Sequence, residues 1–181
     1  MLLTLSKALA AELKNTFEHV RLQDRDGNMR PIRGYRQRFP KQTKLARADA
    51  STDPIPGYLV VWDSLEESKD GKTEIATFLV DFAVRNDSDE RAGADDIMLL
   101  IDLIRERFGK NPYLGIFRKT GPLKSAPQIE STGDYFTGGL QIKFEVPMYR
   151  KNDPKEGSGY EQWQQERPQS QQVRPPRRRT P

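Results

Sequence analysis

The sequence predicts an α+β fold, in which two helices pack on a mainly antiparallel sheet of about four strands, with a long basic arm and an extended C-terminal tail. Two segments repeat apolar residues at three- and four-residue spacing, which is the period of an amphipathic helix. Other segments alternate apolar and polar residues, as strands with one buried face do. A change in composition near residue 150 separates a domain, residues 1–150, from a tail, residues 151–181.

The helices are predicted at residues 2–20 and 93–108. In the first helix, the repeated apolar residues are Leu2, Leu5, Leu9, Leu13, Phe17 and Val20. In the second helix, they are Ile97, Leu100, Ile101, Ile104 and Phe108. Gly109 and then Pro112 predict the end of the second helix, because both residues disfavour its continuation. Each helix is expected to bury one side against the sheet.

Four segments are predicted to be strands. Residues 58–62 form a short apolar strand, and residues 73–85 show the clearest alternation of faces. These two strands are expected to pair antiparallel, since the polar loop between them is too short for a helical crossover. Residues 116–123, interrupted by Gly121-Pro122, and residues 139–149 complete the predicted sheet.

Residues 21–52 are predicted to be a basic loop or arm, of which residues 24–50 are predicted not to belong to the core of their own domain. Between residues 21 and 50, nine Lys/Arg stand against three Asp/Glu, a net charge of +6, and no apolar period is present. We expect a long loop with no more than a short strand around Pro31 to Tyr35. Basic residues alternate here with Tyr35 and Phe39, a pattern that can bind phosphates and stack bases. The alternative is an arm that packs on a neighbouring subunit.

The positive net charge of the chain belongs to the tail. The chain carries 30 Lys/Arg and 26 Asp/Glu, of which residues 150–181 hold eight and four, so that residues 1–149 hold 22 of each. A balanced domain argues against a dedicated nucleic-acid-binding fold, whose basic face normally dominates its domain. The tail is rich in Pro, Gln, Arg and Gly, and it cannot bury enough apolar surface to fold alone.

No catalytic, cofactor-binding or metal-binding set is predicted, and we expect the protein not to be an enzyme. Cysteine is absent and His19 is the single histidine, which excludes thiolate chemistry and a histidine metal cluster. The acidic residues between positions 87 and 96 lack the spacing of a calcium loop. A polar connection into a helix, whose dipole favours acids in its first turn, explains them. No stretch is apolar enough to span a bilayer, and a cytoplasmic origin is expected.

The order of these elements, with several local motifs, resembles the tail terminators of long-tailed phages of Gram-positive hosts. The motifs are an apolar strand after a proline, "DPIPGYLVVW", a long strand with an aspartate-rich break, "EIATFLVDFAVRNDSDE", and the helix "GADDIMLLIDLIRERFGKNPYLG". They continue with "FRKTGPLK" and the closing strand "LQIKFEVPMYRKN". The resemblance covers residues 53–152. The N-terminal helix agrees in type only, and the C-terminal tail is not matched.

The resemblance implies a virion structural protein without a cofactor, assembled in the host cytoplasm and located at the head-proximal end of the tail. Such proteins form a homohexameric ring that stops growth of the tail tube. The implied partners are further copies of the chain, the tail tube protein and a head-completion or stopper protein, with passing contact to DNA and none to a membrane. Two alternatives stay open, namely another head–tail connector such as a stopper or adaptor, and a small nucleic-acid-binding module.

The arm and the tail supply the predicted subunit interface. Arginine and aromatic residues are typical anchors of protein interfaces, and a basic arm can attract the acidic remainder of a neighbouring domain. The candidate interface residues are Arg30, Arg33, Tyr35, Arg36, Arg38 and Phe39 in the arm, with Tyr160 and Trp163 in the tail.

Overall fold

The two predicted helices are present in the computed structural model, which describes residues 1–40, 53–69, 71, 73–86, 92–132 and 135–147, with backbone alone for residues 126–132. Helix α1 spans Leu2–Thr16 and helix α2 spans Ala92–Lys110. Helix α1 ends four residues before the predicted boundary at residue 20. The N–H of Val20 donates to the carbonyl of Phe17 at 3.0 Å, which closes a turn. Phe17 stays buried in that turn, so the apolar spacing continues beyond the helix.

Eight strands accompany the helices in the described residues. They are β1 (Arg21–Gln23), β2 (Met29–Pro31), β3 (Arg33–Arg36), β4 (Gly57–Glu67), β5 (Thr73–Arg85), β6 (Tyr113–Leu114), β7 (Phe117–Thr132) and β8 (Tyr135–Pro147). Strands β1 and β2 form a small antiparallel hairpin by themselves. The other six form one mixed sheet in the order β3-β4-β5-β8-β7-β6, in which β3 and β4 pair parallel and all other neighbours pair antiparallel.

The sheet curls into a half-barrel. Two irregularities in strand pairing contribute to this curvature, because a bulge bends its strand and increases the local twist. The first lies between Trp62 and Ser64 in β4. The second lies between Thr120 and Lys124 in β7, where Gly121 adopts a φ of 63°. The pairing of β7 with β8 is thus interrupted at Gly121-Pro122, as predicted, but the strand itself continues to Thr132.

The prediction of about four strands in the sheet was too low, because β3 and β6 also belong to it. The short strand predicted around Pro31 to Tyr35 lies where β3 is, but it was not assigned to the sheet. Strands β3 and β6 have four and two residues, too few to show a period in the sequence. The predicted antiparallel pairing of β4 and β5 is confirmed, with Val60 opposite Val80. Strand β8 begins at Tyr135 rather than at residue 139, since its pairing with β5 continues to Arg85.

The prediction that residues 24–50 contribute nothing to their own domain was wrong as far as Arg36, because β3 pairs with β4 and Ile32 packs against the core. The preceding strand β1 contributes as well. Leu22 of β1 is 3% exposed and belongs to the hydrophobic core. The Asp24 carboxylate accepts the N–H groups of Asp26 and Asn28, both at 2.9 Å, and thereby closes the turn of the small hairpin. One apolar residue in a strongly basic segment gives no period, so its burial could not be read from the sequence. Residues 41–52 lie outside the described part of the chain.

Both helices pack on one face of the sheet, as predicted. The buried residues of β5 on this face are Ala76, Phe78, Val80, Phe82 and Val84. All five predicted apolar residues of α2 are buried in the same core. Ring contacts join the layers, with centroids 5.7 Å apart for Phe108 and Phe144 and 5.2 Å apart for Phe17 and Tyr58. Neither described helix covers the opposite face of the sheet.

Candidate functional site

The edge of the sheet formed by β3 and β4 has an open part. Strand β3 pairs with β4 only from Gly57 to Val60. Gln37 then adopts a φ of 68°, a left-handed conformation that is uncommon for a residue with a side chain. The Gln37 N–H donates to the Val60 carbonyl at 2.9 Å, and no further residue of this segment pairs with β4 in the described part of the chain. Within the described residues, positions 61–67 of β4 have no strand on their outer side.

A groove of about 1120 Å³ lies between α1 and the segment of β3. We call it the basic groove, because four cationic side chains line it, from Lys14, Arg33, Arg36 and Arg38, and none of the described residues that line it is acidic. Its other lining residues are Ala10, Ala11, Pro31, Ile32, Gly34, Tyr35, Phe39, Pro40 and Tyr58. Small side chains on α1 leave the groove wide.

Tyr58 forms the buried wall of the basic groove. It lies opposite Gly34 in the parallel register, and a β-carbon on Gly34 would be 2.3 Å from the Tyr58 hydroxyl oxygen. Burial raises the pKa of the Tyr58 phenol to about 12. The phenol is therefore neutral at physiological pH, and its contribution here is to packing rather than to proton transfer.

A second, smaller cleft of about 330 Å³ continues from the basic groove across Arg36. We call it the tryptophan cleft. Trp62 lines it opposite Leu2, Leu3 and Ser6 of α1, with Gln37 between them. The Trp62 indole N–H donates to the carbonyl of Ser64 at 3.1 Å, and the side chain is nevertheless 45% exposed. The hydrogen bond fixes the orientation of the ring and leaves much of its surface accessible.

The opposite face of the sheet carries a trough of about 660 Å³ around Asp81. Leu59, Leu79 and Ala83 provide apolar walls, and Lys124 lies at one side. Burial raises the pKa of the Asp81 carboxyl above its usual range. Gly139 makes room for this carboxylate, since a β-carbon there would lie 2.7 Å from an Asp81 oxygen.

Two open segments on opposite sides of the sheet, one in β4 and one in β7, carry opposite charge, although β3 beside the first segment carries Arg33 and Arg36. Residues 61–67, on the open part of β4, include Asp63, Glu66 and Glu67 and no Lys/Arg, and we call this segment the acidic edge. Residues 118–125 of β7 include Arg118, Lys119 and Lys124 and no Asp/Glu, and we call this segment the basic edge. In the described residues, β6 pairs with β7 only at Phe117 and Arg118, so most of the basic edge has no neighbouring strand.

The structure separates the predicted interface residues into several environments. Arg30 is half-buried in the small hairpin, where its guanidinium donates to the Asp53 carbonyl at 2.8 Å. Tyr35 and Phe39 are half-buried and form an edge-to-face pair with centroids 5.3 Å apart. The exposed residues of the set are Arg33, Arg36 and Arg38. Tyr160 and Trp163 lie outside the described residues, and an interface role stays a prediction for the whole set.

The acidic break before α2 is described only in part. Asp95 and Asp96 lie in the first part of α2, whereas Asp87, Asp89 and Glu90 lie outside the described residues. Asp96 accepts a hydrogen bond from the Asn86 amide at 3.3 Å, yet burial raises the pKa of its carboxyl. Within the described ranges, no three His, Cys, Asp or Glu side chains are close enough to hold a metal ion together.

Sequence reasoning missed two residues of this region, Lys14 and Trp62. Lys14 belonged to the polar side of a predicted helix, and Trp62 was the last residue of a predicted buried strand. A tryptophan followed by Asp63 at the end of an apolar run was the available signal that its side chain is accessible.

Neither described helix is long and apolar enough to cross a membrane. No protein-family model matches this sequence, and no curated protein is significantly similar to it.

Proposed function

We propose that this chain is a structural subunit of a bacteriophage tail, most similar in role to a tail terminator. In this proposal its copies form a closed homohexameric ring that caps the tail tube and presents the joining surface to head-completion proteins. The observation that carries the proposal is the opposite charge of the acidic edge and the basic edge on two sides of one sheet.

Opposite charge on different surfaces favours a ring over a simple two-fold dimer. A ring needs a head-to-tail contact, in which one surface of a subunit binds a different surface of the next. The acidic edge spans seven residues and the basic edge eight, or about 23 and 26 Å at ordinary strand spacing. Each edge carries three charges of one sign. The two segments therefore match in length and are complementary in charge, which orients subunits as they approach.

Irregular strands at both edges make this association selective. An open strand edge can pair with any other strand, which leads to aggregation unless bulges, charges or prolines prevent it. The acidic edge contains the irregularity at Trp62/Ser64, and the basic edge contains the bulge with Pro122, which has no N–H to donate. Continuous strand addition is thus disfavoured. Contacts between side chains, with their charges, are left to determine which surfaces associate.

Charge reversal at each edge tests the ring. Glu66→Lys/Glu67→Lys makes both edges basic, and Arg118→Glu/Lys124→Glu makes both edges acidic, so each variant alone should remain monomeric. An equimolar mixture should form rings of alternating subunits, because every contact is again between opposite charges. A chain that carries all four substitutions should also form rings. Light scattering coupled to size-exclusion chromatography, with electron microscopy, measures these outcomes.

The matched control for Glu66→Lys/Glu67→Lys is Glu18→Lys/Asp26→Lys, which changes the charge by the same amount at exposed residues away from both edges. This control should assemble like the wild-type chain. A wild-type chain that stays monomeric at all concentrations, or rings from both single-edge variants, would contradict the proposal. A stopper or adaptor would use a ring in the same way. Binding of the rings to purified tail tubes rather than to tail-less heads favours the terminator.

A further inference from the structure

The basic groove and the tryptophan cleft form one continuous surface, because Arg36 lines both. Arg36 lies opposite Val60 in the register of β3 and β4, and Trp62 follows two residues after Val60. Residues two apart on a strand project from the same face. Arg36 and Trp62 are therefore neighbours on the helix side of this edge, and the surface runs from Lys14 and Arg38 to Trp62.

Three cations on this surface are uncompensated. Lys14, Arg36 and Arg38 are exposed, and none of them makes a hydrogen bond or ion pair within the described residues. Among the residues that the structure describes, no acidic side chain lines either the basic groove or the tryptophan cleft. Like charges that converge without counter-charges repel one another. An anionic ligand removes this repulsion, which makes the surface suited to a chain of negative charges.

The exposed ring of Trp62 gives the second, independent requirement for the ligand. Its N–H is already bonded to the Ser64 carbonyl, so what Trp62 offers a partner is the aromatic ring itself. Aromatic rings beside cations bind single-stranded nucleic acid, in which phosphates meet the cations and unpaired bases stack on the rings. An acidic peptide would match the cations but would not use the ring, and the bases of a duplex are already stacked inside it.

We propose that this surface binds a single-stranded nucleic acid, with Lys14, Arg36 and Arg38 contacting consecutive phosphates and Trp62 stacking on a base. The balanced charge of residues 1–149 is consistent with one local site of moderate affinity rather than a basic face across the domain. Trp62 lies within the acidic edge, but the charged residues substituted to test the ring do not line this surface, so the two proposals are tested with separate variants.

Fluorescence anisotropy of a labelled twenty-nucleotide oligothymidylate, titrated with the full-length chain at several salt concentrations, tests the electrostatic part. The variant Lys14→Gln/Arg36→Gln/Arg38→Gln should bind at least tenfold more weakly at low salt. Its plot of log K against log salt should be shallower by about 2, since each lost phosphate contact removes about 0.7 from the slope for single strands. Circular dichroism checks that the variant is folded.

The matched control is Arg25→Gln/Lys69→Gln/Lys110→Gln. It removes the same number of exposed positive charges from three other places on the surface. This control should keep the wild-type affinity and slope. Equal losses in the two triple variants would show that net charge alone is responsible and would overturn the site.

Trp62 is tested separately by substitution and by its fluorescence. Trp62→Ala should weaken binding by about five- to a hundredfold, the effect of losing one stacked base, and Trp62→Phe should restore part of it. In a Trp163→Phe chain, Trp62 is the single tryptophan, and its emission should be quenched by the oligonucleotide. Unchanged affinity in Trp62→Ala would overturn the proposal. Displacement of the oligonucleotide by polyglutamate of equal charge at equal concentration would also overturn it, in favour of an acidic protein partner.

Discussion

Gly34 is the residue at which β3 and the core are most closely fitted. It lies directly opposite Tyr58, whose side chain is 2% exposed and packs edge-to-face on Phe17. The phenol ring covers the position that a β-carbon of residue 34 would occupy, 2.3 Å from the hydroxyl oxygen. A larger residue at position 34 must therefore displace a buried ring or separate β3 from β4.

Gly34→Ala should accordingly destabilise the protein by about 1–3 kcal/mol, the usual cost of overfilling a packed site. Gly109→Ala is the control, because Gly109 lies in α2 and no atom would be within 4 Å of its new β-carbon. This second change should stabilise the helix by up to about 1 kcal/mol, since alanine favours helix more than glycine does. Thermal or urea unfolding of the two variants measures both effects. Equal stability in the two variants would show that the packing of the Tyr58 ring does not require glycine at position 34.

At the scale of elements, α2 is the part of the fold that the sequence described best. The structure buries the predicted stripe and places it on β5, β7 and β8. On its other side, Met98 and Leu99 are each 49% exposed. The same helix thus carries apolar residues of similar size in a buried and in an exposed environment. Truncating one residue of each kind to alanine measures how much burial contributes to stability.

Ile101→Ala should cost about 2–5 kcal/mol, because the deleted atoms leave a cavity in the core. Ile101 is 4% exposed, and it packs within the cluster that contains Phe78 and Ile142. Met98→Ala should change stability by less than about 0.5 kcal/mol, as most surface substitutions do. Melting curves of the two variants provide the comparison. An Ile101→Ala variant as stable as Met98→Ala would refute the packing of α2 on the sheet.

Strand β3 is an element whose partner and register could not be predicted from its own residues. Its four residues, RGYR, contain no apolar alternation, and two of them are arginines. The segment becomes a strand because β4 offers it an unpaired edge, where Arg33 aligns with Gly57 and Arg36 with Val60. Parallel partners are joined by long connections, so no turn motif in the sequence announces the pairing.

At the scale of the molecule, Leu2–Met148 forms one compact unit. Residues 151–181 lie outside the described part of the chain, and their composition supports no core of their own. Deletion of residues 151–181 should therefore leave the melting temperature of the remaining domain nearly unchanged. Calorimetry of the full-length and truncated chains, both kept monomeric, tests this. A substantial loss of stability on truncation would show that the tail is part of the domain.

The candidate surfaces were predictable only in part. The sequence identified Arg36 and Arg38 as interaction residues, because a basic segment without an apolar period is not needed for a core. Lys14 and Trp62 were not predicted to accompany them, since they belong to a helix and a strand that are distant along the chain. Their proximity depends on the packing of α1 beside β3 and on the end of β3 before Trp62.

The sequence by itself determined the type of each long element and the side that it buries. This is possible because helix and strand have fixed periods, so apolar residues at those periods mark a face whatever that face packs against. Strand order, the place of β3 and β6 in the sheet and the edges that remain open were decided only by the tertiary structure. These features depend on which distant segments meet and in which register. Local periodicity carries no information about that choice, so the charge of the two sheet edges and the exposure of Trp62 emerged only from the folded chain.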